Sequence, residues 1–244
     1  MEAAPVRRGH DERQQEAYIG NADRVLATVE DRDRTYARKA RIAASRIEDA
    51  APADHRILEI GCGGGFFTRE LALRLPRAAI VATDTFEPML DACRQRVRGL
   101  PNVSVRHMDG EGSLAGERRF NVVCAVDVIH HLANPPDALR AWRAQARPGG
   151  ILVAMEANPF HPVLALKALS KPEERRFFLN NPDRLRRWTE EAGWTEVAIE
   201  RLPLYLPAGP GALAGTLDRL EDLLHRGRRI WGFLSGGFLI TAKA

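Results

Sequence analysis

The chain has 244 residues, 45% of them hydrophobic, enough to bury the core of one large α/β domain or of a domain with a cap. Its 36 basic and 32 acidic residues leave a formal charge of +4. The arginines are interleaved with acids, which argues against a stripe for nucleic acid and makes Arg184, Arg186 and Arg187 a solvated helix face. No apolar run reaches the ~18 residues that span a bilayer, the N-terminal stretch lacks the apolar centre of a signal peptide, and Cys62, Cys93 and Cys124 read as reduced and structural, so the expected location is cytoplasmic.

Residues 1–20 are polar without steady periodicity and are expected to be mobile, with Tyr18 and Ile19 marking where order begins. From Ala22 onward Val25, Val29, Tyr36, Ala40, Ala43 and Ile47 recur three, four or seven apart, which predicts a helical cap over 21–51, broken near Asp31 to Asp33 and ended by Pro52. A main domain over 52–244 then begins with Arg56 to Thr68, RILEIGCGGGFFT. Ile57, Leu58 and Ile60 read as a buried strand interrupted by Glu59, and Gly61, Gly63 and Gly65 as a turn that lets backbone N–H groups approach a ligand. Phe67, Leu71 and Leu75 resume helical spacing.

Ala79 to Thr83 predicts a second strand ending at Asp84, with a helix opened by Glu87 and Pro88. Val103 to His107 predicts a third strand, followed by a loop at Met108 to Glu111. Phe120 to Val126 predicts a fourth, running into Asp127-Val128-Ile129-His130-His131-Leu132. A helix opened by Asn134, Pro135 and Pro136 leads through the turn Arg147 to Gly150 into a fifth strand, Ile151 to Met155. Glu156 to Pro162 is an irregular loop, Val163 to Leu179 a broken helix, and Asp183 to Ala192 a further helix. Thr195 to Glu200 predicts a strand, Leu202 to Leu213 a loop, Leu217 to Leu224 a helix and Gly237 to Ala242 a last strand. Strands alternating with helices predict a parallel sheet.

A glycine cluster between strand and helix also suits a nicotinamide dinucleotide, but Phe66 stands where that fingerprint has its third glycine. Glu59 followed by Gly61-Cys62-Gly63-Gly64-Gly65 instead resembles the first motif of the class I S-adenosylmethionine-dependent methyltransferases. An acid beside the loop fits a cofactor that carries a sulfonium and an ammonium group. The resemblance covers roughly residues 55–156 by motif and the rest by layout. It implies a Rossmann-like methyltransferase fold: a mostly parallel seven-stranded sheet, helices on both faces, an antiparallel last strand, and a substrate-cap insertion near 157–181.

The same resemblance implies S-adenosyl-L-methionine held by Glu59, Gly61, Cys62, Gly63, Gly65, Asp84, Thr85, Phe86, Asp109, Gly110 and Asp127. Asp84, at the end of the second strand, is placed to accept the ribose hydroxyls; its other reading is a helix cap, with Thr85 as the alternative cap. Phe86 is a candidate to pack on the adenine, Asp109 to accept the adenine amino group or to cap a short helix, and Asp127 to orient its loop or meet the methionyl end. Tyr18 and Tyr36 are lid candidates or plain packing residues.

Methyl transfer to a hydroxyl, an acidic carbon or a protonated amine needs a base, and imidazole titrates near neutrality. His130, His131 and His161 are the candidates, with Glu156 on the same sheet edge; the His-His-Leu segment also reads as a plain closure of the cavity. One of His130 and His131 is expected to face the pocket and the other the following helix. No His, Asp and Glu set has metal-ligand spacing, so a metal-free site is expected. The expected partner is a small, partly apolar molecule, with no nucleic acid and no stable membrane insertion, on a monomer or homodimer. A cofactor-binding module without catalysis and a nicotinamide-dependent oxidoreductase are the rival readings.

Overall fold

The computed structural model describes residues 29–50, 55–112, 114, 120–162, 165, 169, 178–202 and 235–244. Seven strands form one sheet: β1 (Arg56–Ile60), β2 (Ala79–Asp84), β3 (Val103–His107), β4 (Phe120–Val126), β5 (Ala146–Ala157), β6 (Thr195–Leu202) and β7 (Gly237–Lys243). Their order is β3-β2-β1-β4-β5-β7-β6. Neighbours from β3 across to β5 pair parallel, while β7 runs antiparallel to both β5 and β6. The direction of β1 therefore reverses only at β7, as the sequence led us to expect.

Alternation along the central strands sends side chains to two cores. Leu58, Val123, Leu152 and Ala154 face one way, against Leu139 and Trp142 of α4 (Pro135–Gln145) and Leu185 of α5 (Pro182–Glu191). Ile57, Val122, Cys124, Val153 and Met155 face the other, against Ala40, Ala43 and Ile47 of α1 (Val29–Ala50) and Phe67 and Leu71 of α2 (Phe66–Arg74). A smaller cluster seats Leu90 and Cys93 of α3 (Glu87–Arg96) against Cys62 and Ala82. Indole N–H groups tie the layers together: Trp142 donates to the Gly110 carbonyl at 2.6 Å and Trp194 to that of Leu139 at 2.9 Å.

Two local expectations change. α1 is continuous through Asp31 to Asp33, since Ala40, Ala43, Ala44 and Ile47 are buried on a sheet that holds the helix whatever its acids prefer. The Arg147 to Gly150 turn is absorbed into β5, which already pairs through Ala146 with Phe120 before a register shift; a Cβ on Gly150 would lie 3.0 Å from the Phe120 carbonyl oxygen. The expectations for residues 1–20, Tyr18, the loop after Leu202 and the helix at Leu217 to Leu224 lie outside the described residues, as does most of Val163 to Leu179. No helix among the described residues is long and apolar enough to cross a membrane.

Candidate active site

β1 and β4 are adjacent, so their carboxyl ends bring the glycine loop and the segment 127–131 together at the point where the strand order reverses, the place where open parallel sheets bind ligands. Gly61, Gly63 and Gly65 all have positive φ, at 70°, 51° and 78°. They differ in what surrounds them. A Cβ on Gly65 would lie 2.9 Å from the Cys93 Cα and one on Gly61 2.5 Å from Val128 Cγ2, so both are pressed against protein, whereas nothing lies within 4 Å of a Cβ on Gly63. Gly63 thus faces open space. The loop is held from outside by Arg96, whose guanidinium donates to the Gly64 carbonyl and lies 3.5 Å over the Phe66 ring; Tyr36 of α1 stacks on Phe66 at 6.0 Å. Tyr36 therefore packs at the loop's edge.

Asp84 closes the other side. Its Oδ2 accepts the Gly63 N–H at 2.8 Å and its Oδ1 that of Phe86 at 3.0 Å. Burial pushes this carboxyl up, and the N–H groups of Phe86, Gly63 and Thr85 hold it back. Neither Asp84 nor Thr85 caps α3: the cap residue is Phe86, without a side-chain bond, and the Thr85 hydroxyl donates to the Met108 carbonyl at 3.4 Å. Asp109 is exposed at the next strand end, where its Oδ1 accepts the Glu111 N–H at 3.0 Å, with Gly110 beside it beneath Leu132.

Two carboxylates at this crevice each leave an oxygen without a partner. Glu59 is 2% exposed; burial first, then the neighbouring Cys93, raises its pKa to about 8, against a hydrogen bond from Thr68, and its Oε2 accepts no hydrogen bond among the described residues. Asp127, at φ 57°, pairs through Oδ2 with Lys39 of α1 and leaves a buried Oδ1 unmatched. Buried carboxylate oxygens without donors are costly. Together with the open face at Gly63, they fit a ligand that carries positive charge and a ribose, which is what S-adenosylmethionine offers.

The reacting side of the crevice is organised by Glu156, at the end of β5 and 1% exposed. Its Oε1 accepts the backbone N–H groups of Val128 at 2.9 Å and Ile129 at 2.6 Å, and its Oε2 accepts from His130 Nδ1 and Asn180 Nδ2, both at 2.7 Å. Glu156 is thus occupied as an acceptor and orients other groups. The short 3₁₀ turn Ile129–His131 lays the rings of His130 and His131 against each other, centroids 3.9 Å apart. His161 is buried at 8% exposure, which lowers its pKa. Its backbone follows Asn158, whose side chain joins Ser235 and the Phe160 N–H.

The structure therefore brings Glu59, the glycines, Asp84, Asp127, His130 and His131 to one sheet edge, and leaves Asp109 at its exposed rim. Lys39 and Asn180 were not legible. Lys39 sat in a run of alternating charges, and Asn180 precedes a better cap signal, Asn181, whose Oδ1 does accept the Arg184 N–H at 3.0 Å. No group of three or more His, Cys, Asp or Glu among the described residues is placed to hold a metal ion.

Residues 58–152 match the family model described as a methyltransferase domain. The ubiquinone biosynthesis O-methyltransferase of Roseobacter denitrificans is 36% identical over 115 residues, 46% of this chain and 45% of that protein. The malonyl-[acyl-carrier protein] O-methyltransferase of Halalkalibacterium halodurans is 30% identical over 149 residues, 57% of this chain and 55% of that protein. The chain thus spans about half the length of these curated relatives. Among solved structures, a possible histamine N-methyltransferase from Thermotoga maritima superposes with a TM-score of 0.59 at 17% identity, covering 93% of this chain and 96% of that one. The CurJ carbon methyltransferase superposes at 0.58 and 18% identity, covering 86% of this chain and 54% of that one. Residues 58–152 thus match a methyltransferase domain, and the seven-stranded sheet around them has the Rossmann-like methyltransferase topology.

Proposed function

We propose that the chain transfers a methyl group from S-adenosylmethionine to a small molecule, at an oxygen or acidic carbon whose proton His130 removes. The observation that carries this reading is the Glu156–His130 pair at 2.7 Å, set at the end of β4 beside the glycine loop. Bound S-adenosylmethionine supplies a methyl group already activated for displacement, so alignment and proton removal are left to the chain. Glu59, Gly61, Gly63 and Asp127 would hold its charged methionyl end, Asp84 the ribose, and Phe86 and Asp109 the adenine.

A carboxylate only accepts, so His130 donates from Nδ1 to Glu156 and its proton-accepting atom is Nε2. The acceptor's proton would pass to Nε2, the electron pair it leaves would take the methyl carbon, and the pair of the broken S–CH3 bond would leave with sulfur as S-adenosylhomocysteine. Base assistance of this kind contributes ~10²–10⁴-fold, and alignment up to ~7–11 kcal/mol of the barrier. His131 supports the His130 ring, and buried His161 lines the acceptor's side as a neutral imidazole. The cap near 157–181 would cover a partly apolar acceptor, with Phe160 and Leu179 exposed on it. The chain would work in the cytoplasm, where three buried free thiols stay reduced.

Incubation with methyl-labelled S-adenosylmethionine and a small-molecule extract tests the reading. Label recovered in a low-mass product supports it. Cofactor binding without label transfer to any small molecule would contradict it and favour a binding module without catalysis.

A further inference from the structure

We infer that Asn180 is a positioning residue for the base: it shares the Glu156 Oε2 atom with His130, and so limits how strongly Glu156 holds a proton on the imidazole. The inference rests on the role proposed for His130 in methyl transfer. Each Glu156 oxygen accepts from two donors among the described residues: Oε1 from the Val128 and Ile129 N–H groups, Oε2 from His130 Nδ1 and Asn180 Nδ2, the last two each at 2.7 Å. Three of these donors belong to the turn that carries the base. Asn180 comes from another element, is completely buried, and is delivered by a fixed turn. The Asn181 N–H donates to the Leu179 carbonyl at 3.0 Å, the Asn181 side chain caps α5, and Leu185 anchors that helix in the core.

A carboxylate hydrogen-bonded to an imidazole favours the imidazolium, whose Nε2 carries a proton and is no base. A second donor on the same oxygen opposes this, because it draws on the carboxylate's charge and sets the positive end of an N–H dipole beside the ring. Asn180 thereby favours the neutral imidazole with Nε2 open to accept. The other titratable groups at this sheet edge leave that balance to the pair: the His131 ring lies against His130 from the same turn, Lys39 of α1 is paired with Asp127 beyond β4, and burial lowers the pKa of His161 and keeps it neutral.

Long-range ¹H–¹⁵N spectra of the His130 ring across pH test this without an acceptor, with His131→Gln as a second background that separates the neighbouring ring's titration. Asn180→Ala should raise the His130 midpoint by about 0.5 to 1 pH unit, roughly three- to tenfold in proton affinity, with the proton of the neutral ring still on Nδ1 and S-adenosylhomocysteine binding by calorimetry unchanged. Asn180→Leu, which removes the donor but fills its space, should move the midpoint the same way and serves where Asn180→Ala does not fold. In a Glu156→Gln background the same substitutions should move it far less, since the oxygen they act through is gone. A midpoint that stays or falls in the folded variants overturns the inference, as does an equal rise in the Glu156→Gln background. Either result in protein that binds S-adenosylhomocysteine leaves the methyltransferase reading standing, whereas failure of the wild-type protein to bind it removes that reading and this role together.

Discussion

Replacing Glu156 by glutamine perturbs the reacting side of the crevice at nearly constant volume. The amide oxygen still serves the Val128 and Ile129 N–H groups, but an NH2 now stands where Oε2 accepted from His130 Nδ1 and Asn180 Nδ2. Two donors then face each other unless His130 changes tautomer, accepting at Nδ1 and carrying its proton at Nε2, where it is no longer a base. The whole general-base contribution is at stake, ~10²–10⁴-fold in kcat. The altered buried hydrogen bonds should destabilise the fold by ~1–3 kcal/mol. Two assays apply: turnover with an acceptor recovered from the extract experiment, and long-range ¹H–¹⁵N correlation of the His130 ring, which reads the tautomer directly. The account predicts a proton on Nδ1 in the wild type, on Nε2 in Glu156→Gln, and intact binding of S-adenosylhomocysteine in both. Turnover within a few-fold of wild type, or an unchanged tautomer, would refute the role given to the pair.

Asp84→Ala removes the acceptor of the Gly63 and Phe86 N–H groups together with the proposed ribose contact, and should weaken S-adenosylhomocysteine binding by about 100-fold, measured by calorimetry. Gly63→Ala strains only a φ of 51° over open space and should leave a folded protein that binds cofactor poorly, while Gly65→Ala drives a Cβ to 2.9 Å from the Cys93 Cα and should lower Tm markedly; equal behaviour of the two would count against the assignment of Gly63 to the ligand face. Glu59 gives a pH signature. Its folded pKa of about 8 lies above the ordinary 4.5, so the folded state binds the extra proton and this group's contribution to stability is full below 4.5 and lost as pH rises to about 8. A cationic ligand favours the ionised form, so S-adenosylmethionine affinity should rise as pH climbs toward 8 with uptake of the ligand coupled to proton release, and Glu59→Gln should flatten both curves in denaturation and calorimetric titrations; a pH-independent affinity in the wild type would refute it.

What could be read in the sequence was local. Glu59, the glycines and Asp84 announce themselves because strand, turn and strand end follow within one βαβ unit, and the paired register Ile60↔Thr83 then brings them together. The base was narrowed only to His130, His131 or His161, with Glu156 on the same sheet edge, since the partner that selects His130 lies 26 residues away in β5. Lys39 and Asp127 are separated by 88 positions and meet because α1 packs on the same core face as β4, a consequence of tertiary packing that no spacing announces. Asn180 was hidden for a further reason. Beside Asn181 and Pro182 it looked like helix punctuation, and its bond to Glu156 spans 24 positions.

The most direct test of the central claim, that the edge built from Glu59, Gly63 and Asp84 is a site for a sulfur-bearing adenine nucleoside and not for a dinucleotide, is calorimetric titration of the wild-type chain with S-adenosylhomocysteine, with NAD as the comparison. The account predicts saturable one-to-one binding of S-adenosylhomocysteine and none of NAD, with a matching stabilisation of ~2.7 kcal/mol when the ligand stands at 100 times its Kd. Absence of heat with S-adenosylhomocysteine, or saturable binding of NAD in its place, would contradict it.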